Sequence, residues 1–167
     1  GEIVYGIAPE DILEVIVAKL LTQKKRTLSV AESCTGGKLA AAFTAIPGAS
    51  AYFKGGVVAY ETAQKSNLLG VSKSLIEQHS VVSKEVASAM ALGVQKLMGS
   101  DFAIATTGNA GPTKGDSEAP LGTVCIAIAH PKGVYSEIFS MGNHRERIVQ
   151  KTVNKALALL QKEIIKF

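Results

Sequence analysis

The sequence predicts an α/β fold with three layers, in which a mixed, mainly parallel sheet lies between helices and includes one hairpin late in the chain. Short apolar runs of β type alternate with segments of helical period, an order typical of parallel strands joined by helices. Two later runs, Thr123–Ala129 and Val134–Phe139, are separated by four residues that include the turn Pro131-Lys132-Gly133. That spacing indicates a hairpin, and the two patterns together predict both parallel and antiparallel strand pairs.

The first half of the chain supplies a helix, two strands and two further helices. Residues Pro9 to Lys25 carry apolar side chains at helical spacing behind a Pro-Glu-Asp start, which predicts an amphipathic helix. Two glycines stand among Phe, Val and Tyr over residues 51–60, which fits a strand with a bulge or a close backbone approach. The remaining elements predicted here are a strand over 27–31, a Gly-containing turn, a short Ala-rich helix over 38–44, a turn at Pro47-Gly48 and a helix over 61–69.

The second half begins with a long helix, and the residue types at its two ends indicate where it begins and ends. Ser83 is a typical N-cap, and Gly99 ends the helix just after Met98. A strand over 102–106 leads into a loop over 108–120 that is rich in Gly and Pro, and the hairpin follows. The residues predicted to face the core are Val86, Met90, Val94 and Leu97 in the long helix, and Ile148, Thr152, Ala156, Leu159, Leu160 and Ile164 in a closing helix.

The length and composition fit one compact domain that folds without disulfide bonds or a structural metal. The chain has 167 residues, of which 47% are hydrophobic and 19% charged, and a chain of this length buries enough surface to fold alone. Cys34 and Cys125 are far apart and belong to no Cys-x-x-Cys pair or zinc-ligand pattern. We therefore expect two free thiols, a reducing cytoplasmic setting and no structural zinc.

The net charge of +4 does not favour a nucleic-acid surface. Only Arg26, Arg145 and Arg147 are arginines, aromatic residues make up 5% of the chain, and the lysines are spread along it. Nucleic-acid readers concentrate Arg and aromatic side chains on one face. No apolar run reaches the roughly 18 residues of a membrane span, so no membrane association is expected. The chain starts without Met, which suggests a piece of a longer protein.

Two Gly-containing turns that follow predicted strands are the candidate site. They are Glu32–Gly37 and Thr107–Pro112. Ligands of open α/β sheets bind outside the carboxyl ends of strands, where free backbone N–H groups attract anions and oxyanions. Neither turn has the spacing of a Walker loop or a dinucleotide fingerprint, and the three histidines are too separated for a metal triad.

Ser33 is the candidate nucleophile because it stands at the strand-to-helix turn. It needs a base, and Lys65, five residues after Tyr60 on the next predicted helix, is a candidate if burial keeps its amine neutral. A simpler interpretation of each residue stays open at this point. Ser33 could be an N-cap and Lys65 a solvated surface residue, while Tyr60 could pack in the core and Arg145 could be a solvated charge at a helix start.

Several motifs occur together in one order along the chain. They are Ala31-Glu32-Ser33-Cys34-Thr35-Gly36-Gly37, Pro47-Gly48-Ala49-Ser50-Ala51-Tyr52-Phe53, Gly55-Gly56-Val57-Val58-Ala59-Tyr60 with Lys65, Thr107-Gly108, Ala110-Gly111-Pro112 and Pro120-Leu121-Gly122-Thr123-Val124. Together they resemble the C-terminal domain of the competence/damage-inducible CinA family, and the likeness extends from about Ala8 to Leu160. The resemblance implies that residues 1–167 are one such domain, with 1–8 the remnant of an interdomain linker to an N-terminal domain.

The family resemblance implies a nicotinamide-nucleotide amidase. Such an enzyme hydrolyses the carboxamide of nicotinamide mononucleotide to nicotinate mononucleotide and ammonia, without a metal or another cofactor. Residue by residue, the resemblance implies a catalytic pair of Ser33 and Lys65, with Tyr60 relaying or orienting the proton. We expect backbone amides of the turn at Thr35, Gly36 and Gly37 to bind the oxyanion, and Thr107, Gly108 and Arg145 to hold the ribose phosphate.

The chain departs from the family pattern at three positions. Asn109 stands where an aliphatic residue is usual, one residue is inserted before Arg145, and Val149 stands where a second Arg is expected. A rival hypothesis is a non-catalytic ligand-binding or oligomerising module, beside an N-terminal domain with ADP-ribose pyrophosphatase activity. Binding of nucleic acid is a third hypothesis. The resemblance also implies a homo-oligomer.

Overall fold

The computed structural model describes residues 9–112 and 115–167, so the expected linker remnant over residues 1–8 lies outside the described residues. Within the described ranges the chain forms six α-helices, five strands and one short 3₁₀ turn, Ala49–Ala51. In chain order the elements are α1 (Pro9–Lys24), β1 (Leu28–Glu32), α2 (Lys38–Thr44), β2 (Phe53–Val58), α3 (Thr62–Leu69), α4 (Lys73–His79), α5 (Lys84–Met98), β3 (Phe102–Gly108), β4 (Thr123–His130), β5 (Gly133–Ser140) and α6 (Arg145–Lys166).

The strands form one mixed sheet in the order β2-β1-β3-β4-β5. Strand β1 pairs in parallel with both β2 and β3, whereas β3–β4 and β4–β5 are antiparallel pairs, the second being the predicted hairpin. Four of the five strands therefore point the same way, since only β4 runs against them. The predicted mixed, mainly parallel sheet with a late hairpin is confirmed.

Helices cover both faces of the sheet, as the three-layer prediction requires. Side chains alternate between the faces, so Val30 and Ile104 pack on the side of α1, α2 and α6, whereas Ala31 and Ala105 pack on the side of α3, α4 and α5. The first face carries branched and aromatic residues, and the second carries mostly alanines along β1, β3 and β4. Small side chains let α5 lie close to the sheet, and this helix contributes more residues to the second core than α3 or α4 does.

Strand β2 is shorter than predicted, and Gly56 lets its backbone lie close to β1. A Cβ at Gly56 would lie 2.4 Å from Val30 Cγ2 and 2.5 Å from the Val30 carbonyl oxygen. The close backbone approach expected from the two glycines is therefore present on the β1 side. The pairing of β1 with β2 also shifts register between Leu28 and Ser29, which is the expected irregularity.

Helix α5 begins and ends where its caps predict, but one of its predicted core residues is exposed. Ser83 Oγ accepts a hydrogen bond from the Val86 amide at 3.2 Å, and Gly99 has φ 63°. Leu97 is 56% exposed, so its prediction as a core residue was wrong. The side chain that packs against the core at this end is instead the partly buried Met98, four residues after Val94.

Helix α4 was not predicted from the sequence. It has seven residues, with only Leu75 and Ile76 packed against the core, which is too few to show a helical period. Ser72 caps it, because its Oγ accepts from the Leu75 amide at 3.0 Å. Ser72 is therefore a local signal for the start of α4, which the hydrophobic pattern did not show.

Candidate active site

The carboxyl ends of the three parallel strands meet at one edge of the sheet and open into a cleft. Ser33 follows β1, Tyr60 follows β2, and Thr107 and Gly108 end β3. The cleft has a volume of about 450 Å³, and Lys65 also lines it. We call it the catalytic cleft; its other lining residues are Cys34, Glu61, Thr62, Val81, Val82, Asn109, Ala110, Gly111, Gly115, Asp116, Ser117 and Arg145.

Ser33 and Lys65 are in direct contact. Lys65 lies on α3, and its Nζ is 3.0 Å from Ser33 Oγ, 2.8 Å from the Ala59 carbonyl oxygen and 3.4 Å from that of Tyr60. The lysine is 1% exposed and the serine 8%. The simpler interpretation of Lys65 as a solvated surface residue is thus excluded. Ser33 is not the cap of α2 either, since that position is Gly37.

The surroundings of Lys65 favour its neutral form. Burial lowers the pKa of the Lys65 amine, and the nearby Cys34 and Asp116 offset only part of this effect. No carboxylate of residues 13–112 or 115–167 forms an ion pair with it. A neutral amine has two N–H groups and one lone pair. The two carbonyl oxygens can take the N–H groups, which leaves the lone pair free to accept the Ser33 proton.

Glu32 anchors the turn that presents Ser33, a role that the sequence analysis missed. Its side chain is fully buried. Its Oε1 accepts hydrogen bonds from Thr35 Oγ1 at 2.6 Å, from the Gly37 amide at 3.2 Å and from the Leu39 amide at 2.8 Å. Its Oε2 accepts from the Ala40 amide at 2.9 Å. One carboxylate therefore satisfies the free N–H groups at the start of α2.

The other residues of this turn either stabilise its conformation or leave their backbone amides without an acceptor. Thr35 is 1% exposed, and its hydroxyl contacts both Glu32 and Thr106 Oγ1. The Gly36 amide donates to the Ser33 carbonyl oxygen at 3.1 Å, and the Gly37 amide donates to Glu32. The Cys34 and Thr35 amides have no acceptor among the residues that the structure describes. Both therefore remain available to a ligand.

Tyr60 and Arg145 form a pair at the mouth of the catalytic cleft. Tyr60 is 59% exposed, so its ring does not belong to the core. Arg145 Nη2 donates to the Tyr60 hydroxyl at 3.1 Å, and Nη1 donates to the Gly111 carbonyl oxygen. The Tyr60 hydroxyl makes no hydrogen bond to Ser33 or Lys65 in the described structure. The observed hydrogen bonds therefore link this hydroxyl to Arg145 and not to the pair of Ser33 and Lys65.

The turn after β3 forms the wall opposite Ser33. Thr107 is 1% exposed and its hydroxyl donates to the Val81 carbonyl oxygen at 2.9 Å, so its proton is already used. Gly108 and Asn109 line the cleft beside it. Asn109 Nδ2 donates to the Ala119 carbonyl oxygen at 2.9 Å, which ties the start of the loop to its end. Its buried Oδ1 has no partner in the described structure.

Cys34 follows the candidate nucleophile but is not reactive. Its side chain is buried, and burial raises the pKa of the Cys34 thiol to about 12. Only the thiolate is a strong nucleophile, and almost none is present at neutral pH. Cys125 is also buried and unpaired, with its pKa raised to about 11. The expected free thiols are confirmed.

A second cleft of about 450 Å³ adjoins the first. It lies between the turn before α2 and the first turns of α6, and the two clefts share Cys34, Tyr60 and Arg145. We call it the outer cleft. The residues found only in the outer cleft are Thr35, Gly36, Lys38, Glu146, Val149 and Gln150.

Neither a metal centre nor a membrane span occurs in the part of the chain that the structure describes. No group of three or more His, Cys, Asp or Glu side chains there could hold a metal ion. None of the helices described combines the length and the apolar character that crossing a bilayer requires.

Comparison with known proteins gives a consistent family match. The model of the CinA C-terminal domain matches residues 10–164. A CinA-like protein of Flavobacterium psychrophilum is 52% identical over 166 residues, and one of Fervidobacterium nodosum is 41% identical over 166 residues. Each alignment covers 99% of this chain and 40% of the relative. The chain thus spans about two fifths of the length of these curated relatives.

Solved structures match over nearly the whole chain. A competence-damaged protein (CinA) superfamily protein from Klebsiella pneumoniae superposes with a TM-score of 0.91 at 33% identity, covering 96% of this chain and 100% of that one. The competence/damage inducible protein CihA from Agrobacterium tumefaciens gives 0.87 at 34% identity, covering 95% of this chain and 97% of that one.

Proposed function

This chain belongs to the CinA family, as a CinA C-terminal domain, and we propose that it is a serine amidohydrolase that hydrolyses the carboxamide of nicotinamide mononucleotide. The observation that carries the proposal is the buried contact between Ser33 Oγ and Lys65 Nζ at 3.0 Å. A hydroxyl beside a desolvated amine is an activated nucleophile. The arrangement needs no metal, and Ser33 and Lys65 both face the catalytic cleft.

The proposed reaction begins when neutral Lys65 takes the proton of Ser33 as Oγ attacks the amide carbonyl carbon. The oxyanion that forms accepts hydrogen bonds from the Cys34 and Thr35 amides, which have no acceptor in the described structure. Lys65 then returns the proton to the amide nitrogen, the C–N bond breaks and ammonia leaves. Water attacks the resulting ester with the same base, which releases the carboxylate and restores Ser33.

Tyr60 has a role in this proposal that differs from a proton relay. Its carbonyl oxygen helps to hold the Lys65 amine at 3.4 Å, and its hydroxyl orients Arg145 at 3.1 Å. Arg145 presents a planar set of N–H donors that suits the phosphate of the substrate. We therefore assign Tyr60 to positioning.

The test is release of ammonia from nicotinamide mononucleotide by the purified protein, with and without a chelator. We expect chelator-resistant release that falls at least 10³-fold in Ser33→Ala and in Lys65→Met, as for other catalytic pairs. Ser50→Ala and Lys54→Met, at exposed positions outside both clefts, are the matched controls. Retained activity in folded Ser33→Ala protein would refute the mechanism.

The rival function is a ligand-binding module without catalysis. A folded wild-type protein that binds the nucleotide but releases no ammonia would favour this function over the amidase. Self-association remains a proposal from the family resemblance. An additional N-terminal domain remains one too, since the chain matches only about two fifths of its curated relatives.

A further inference from the structure

The closing helix α6 has a solvent-exposed face on which every charged residue is a cation. Arg147, Lys151, Lys155 and Lys162 are all exposed, and with Ala158 they follow one another at intervals of three or four residues. That spacing keeps side chains on one face of a helix. We call the four cations the α6 basic stripe. At a rise of 1.5 Å per residue, the stripe extends over about 22 Å of the helix.

No carboxylate interrupts the α6 basic stripe. Glu163 follows the stripe, but it is 4% exposed and pairs with Lys166 at 2.9 Å. Glu146 precedes the stripe and lies in the outer cleft. The other exposed or half-buried residues between Arg147 and Lys162 are neutral, namely Gln150, Asn154, Ala158 and Gln161.

The charges of the stripe are not neutralised by other side chains of the protein. None of the four cations forms a hydrogen bond or an ion pair in the described structure. Lys155 Nζ instead lies 5.4 Å from the centre of the Phe139 ring, at the side of β5. The carboxylate of β5 is that of Glu137, which accepts a hydrogen bond from the Tyr135 hydroxyl. The stripe therefore presents a strong positive potential to solvent.

The residue types of the stripe favour a phosphate backbone over a protein surface or a membrane. The cores of protein interfaces are depleted in Lys and are built on aromatic or large apolar side chains, and the stripe contains none of these. A helix that lies in a bilayer surface needs an exposed apolar face, whereas the apolar side of α6 is buried in the core. Contacts with phosphates require only cations at the surface.

We propose that the α6 basic stripe binds the phosphate backbone of nucleic acid without reading its sequence. The scarcity of Arg and aromatic side chains in the chain argues against base readout, but it does not affect contacts with phosphates. The lysines are spread along the sequence, and only the burial of the opposite face of α6 shows that three of them share an exposed surface with Arg147. The stripe has no residue in either cleft, so this binding is independent of the proposed amidase.

The experiment measures the binding of fluorescein-labelled DNA of about 24 nucleotides, as a single strand and as a duplex, by fluorescence anisotropy. At about 50 mM salt we expect a Kd of roughly 1–100 μM, and a slope of about −3 to −4 for log K against log salt, as for four neutralised phosphates. The stripe variant carries Arg147→Gln, Lys151→Gln, Lys155→Gln and Lys162→Gln, and its Kd should rise at least about tenfold. Gln is a good helix former, so the helix is preserved.

A matched control removes the same number of charges elsewhere. It carries Lys19→Gln, Lys54→Gln, Lys73→Gln and Lys96→Gln, all at exposed positions outside the stripe and both clefts. Both variants lower the formal net charge from +4 to zero, so they differ only in where the charges are lost. We expect the Kd of the control to stay within about threefold of the wild type. Equal weakening in the two variants, or no binding by the wild-type protein at about 50 mM salt, would overturn the proposal.

Two further measurements distinguish charge and partner. A variant with Lys151→Arg, Lys155→Arg and Lys162→Arg keeps every cation and should bind DNA at least as tightly as the wild type; weaker binding would contradict a phosphate contact. Vesicles with about one third phosphatidylserine are the second probe. A stripe that binds these vesicles but not DNA would overturn the proposal in favour of a lipid surface. DNA binding through the stripe in a protein that releases no ammonia would refute the amidase and keep this proposal.

Discussion

Glu32 offers the sharpest test of how the active-site turn is held, and the change is Glu32→Gln. The carboxylate accepts four hydrogen bonds, three at Oε1 and one at Oε2. If the glutamine oxygen takes the Oε1 position, its NH₂ group faces the Ala40 amide, and two donors then meet. The shape of the side chain is preserved, so the change removes charge and one acceptor without opening a cavity.

The magnitude follows from these contacts. An amide left without an acceptor costs about 1–3 kcal/mol, and the three remaining bonds lose the reinforcement of a charged acceptor. We expect a loss of roughly 2–4 kcal/mol in the free energy of unfolding, which for a domain of this size lowers Tm by about 5–15 °C. Because the turn carries Ser33, ammonia release should also fall by about tenfold or more.

The assay is thermal unfolding followed by circular dichroism, with ammonia release measured on the same samples. Glu77→Gln is the control, since Glu77 is an exposed carboxylate on α4 and its replacement should change stability by less than about 0.5 kcal/mol. A Glu32→Gln protein that unfolds within about 1 °C of the wild type would show that the carboxylate does not hold the turn.

Three further predictions follow from the same structure. In the proposed mechanism the general base must be neutral, so kcat/KM should fall as pH drops through the lowered pKa of Lys65. Asp116→Asn removes a carboxylate that raises this pKa, so in this variant kcat/KM should fall at a lower pH. A pH–rate profile in which the fall moves to higher pH would contradict this. Iodoacetamide at pH 7.5 should neither label Cys34, by mass spectrometry, nor inactivate the protein, because a thiol with a pKa of about 12 is almost entirely protonated; rapid labelling would show that the thiol is not buried. Gly56→Ala should lower Tm by roughly 3–10 °C in a thermal scan, since the added Cβ overlaps Val30 at a cost of about 1–3 kcal/mol, and an unchanged Tm would mean that β1 and β2 are not so close.

Local signals in the sequence were enough for most elements of the fold. Ser83 and Gly99 mark the ends of α5 because capping and left-handed backbone are determined by one or two residues. The hairpin of β4 and β5 follows from its short turn. The same reasoning missed α4, whose two partly buried apolar residues show no period. It also misplaced Leu97, because spacing alone does not tell where a helix leaves the core.

The sequence by itself determined the order of helices and strands, the mixed sheet and the family likeness, and it named Ser33 and Lys65 as the candidate pair. Only the tertiary structure decided that these two side chains touch, that Glu32 holds the turn, and that Arg145 pairs with Tyr60. The physical reason is the range of the interactions. Periodicity, caps and turns act over a few residues, whereas the contact between Arg145 and Tyr60 spans 85 positions and exists only after the strands are ordered in the sheet.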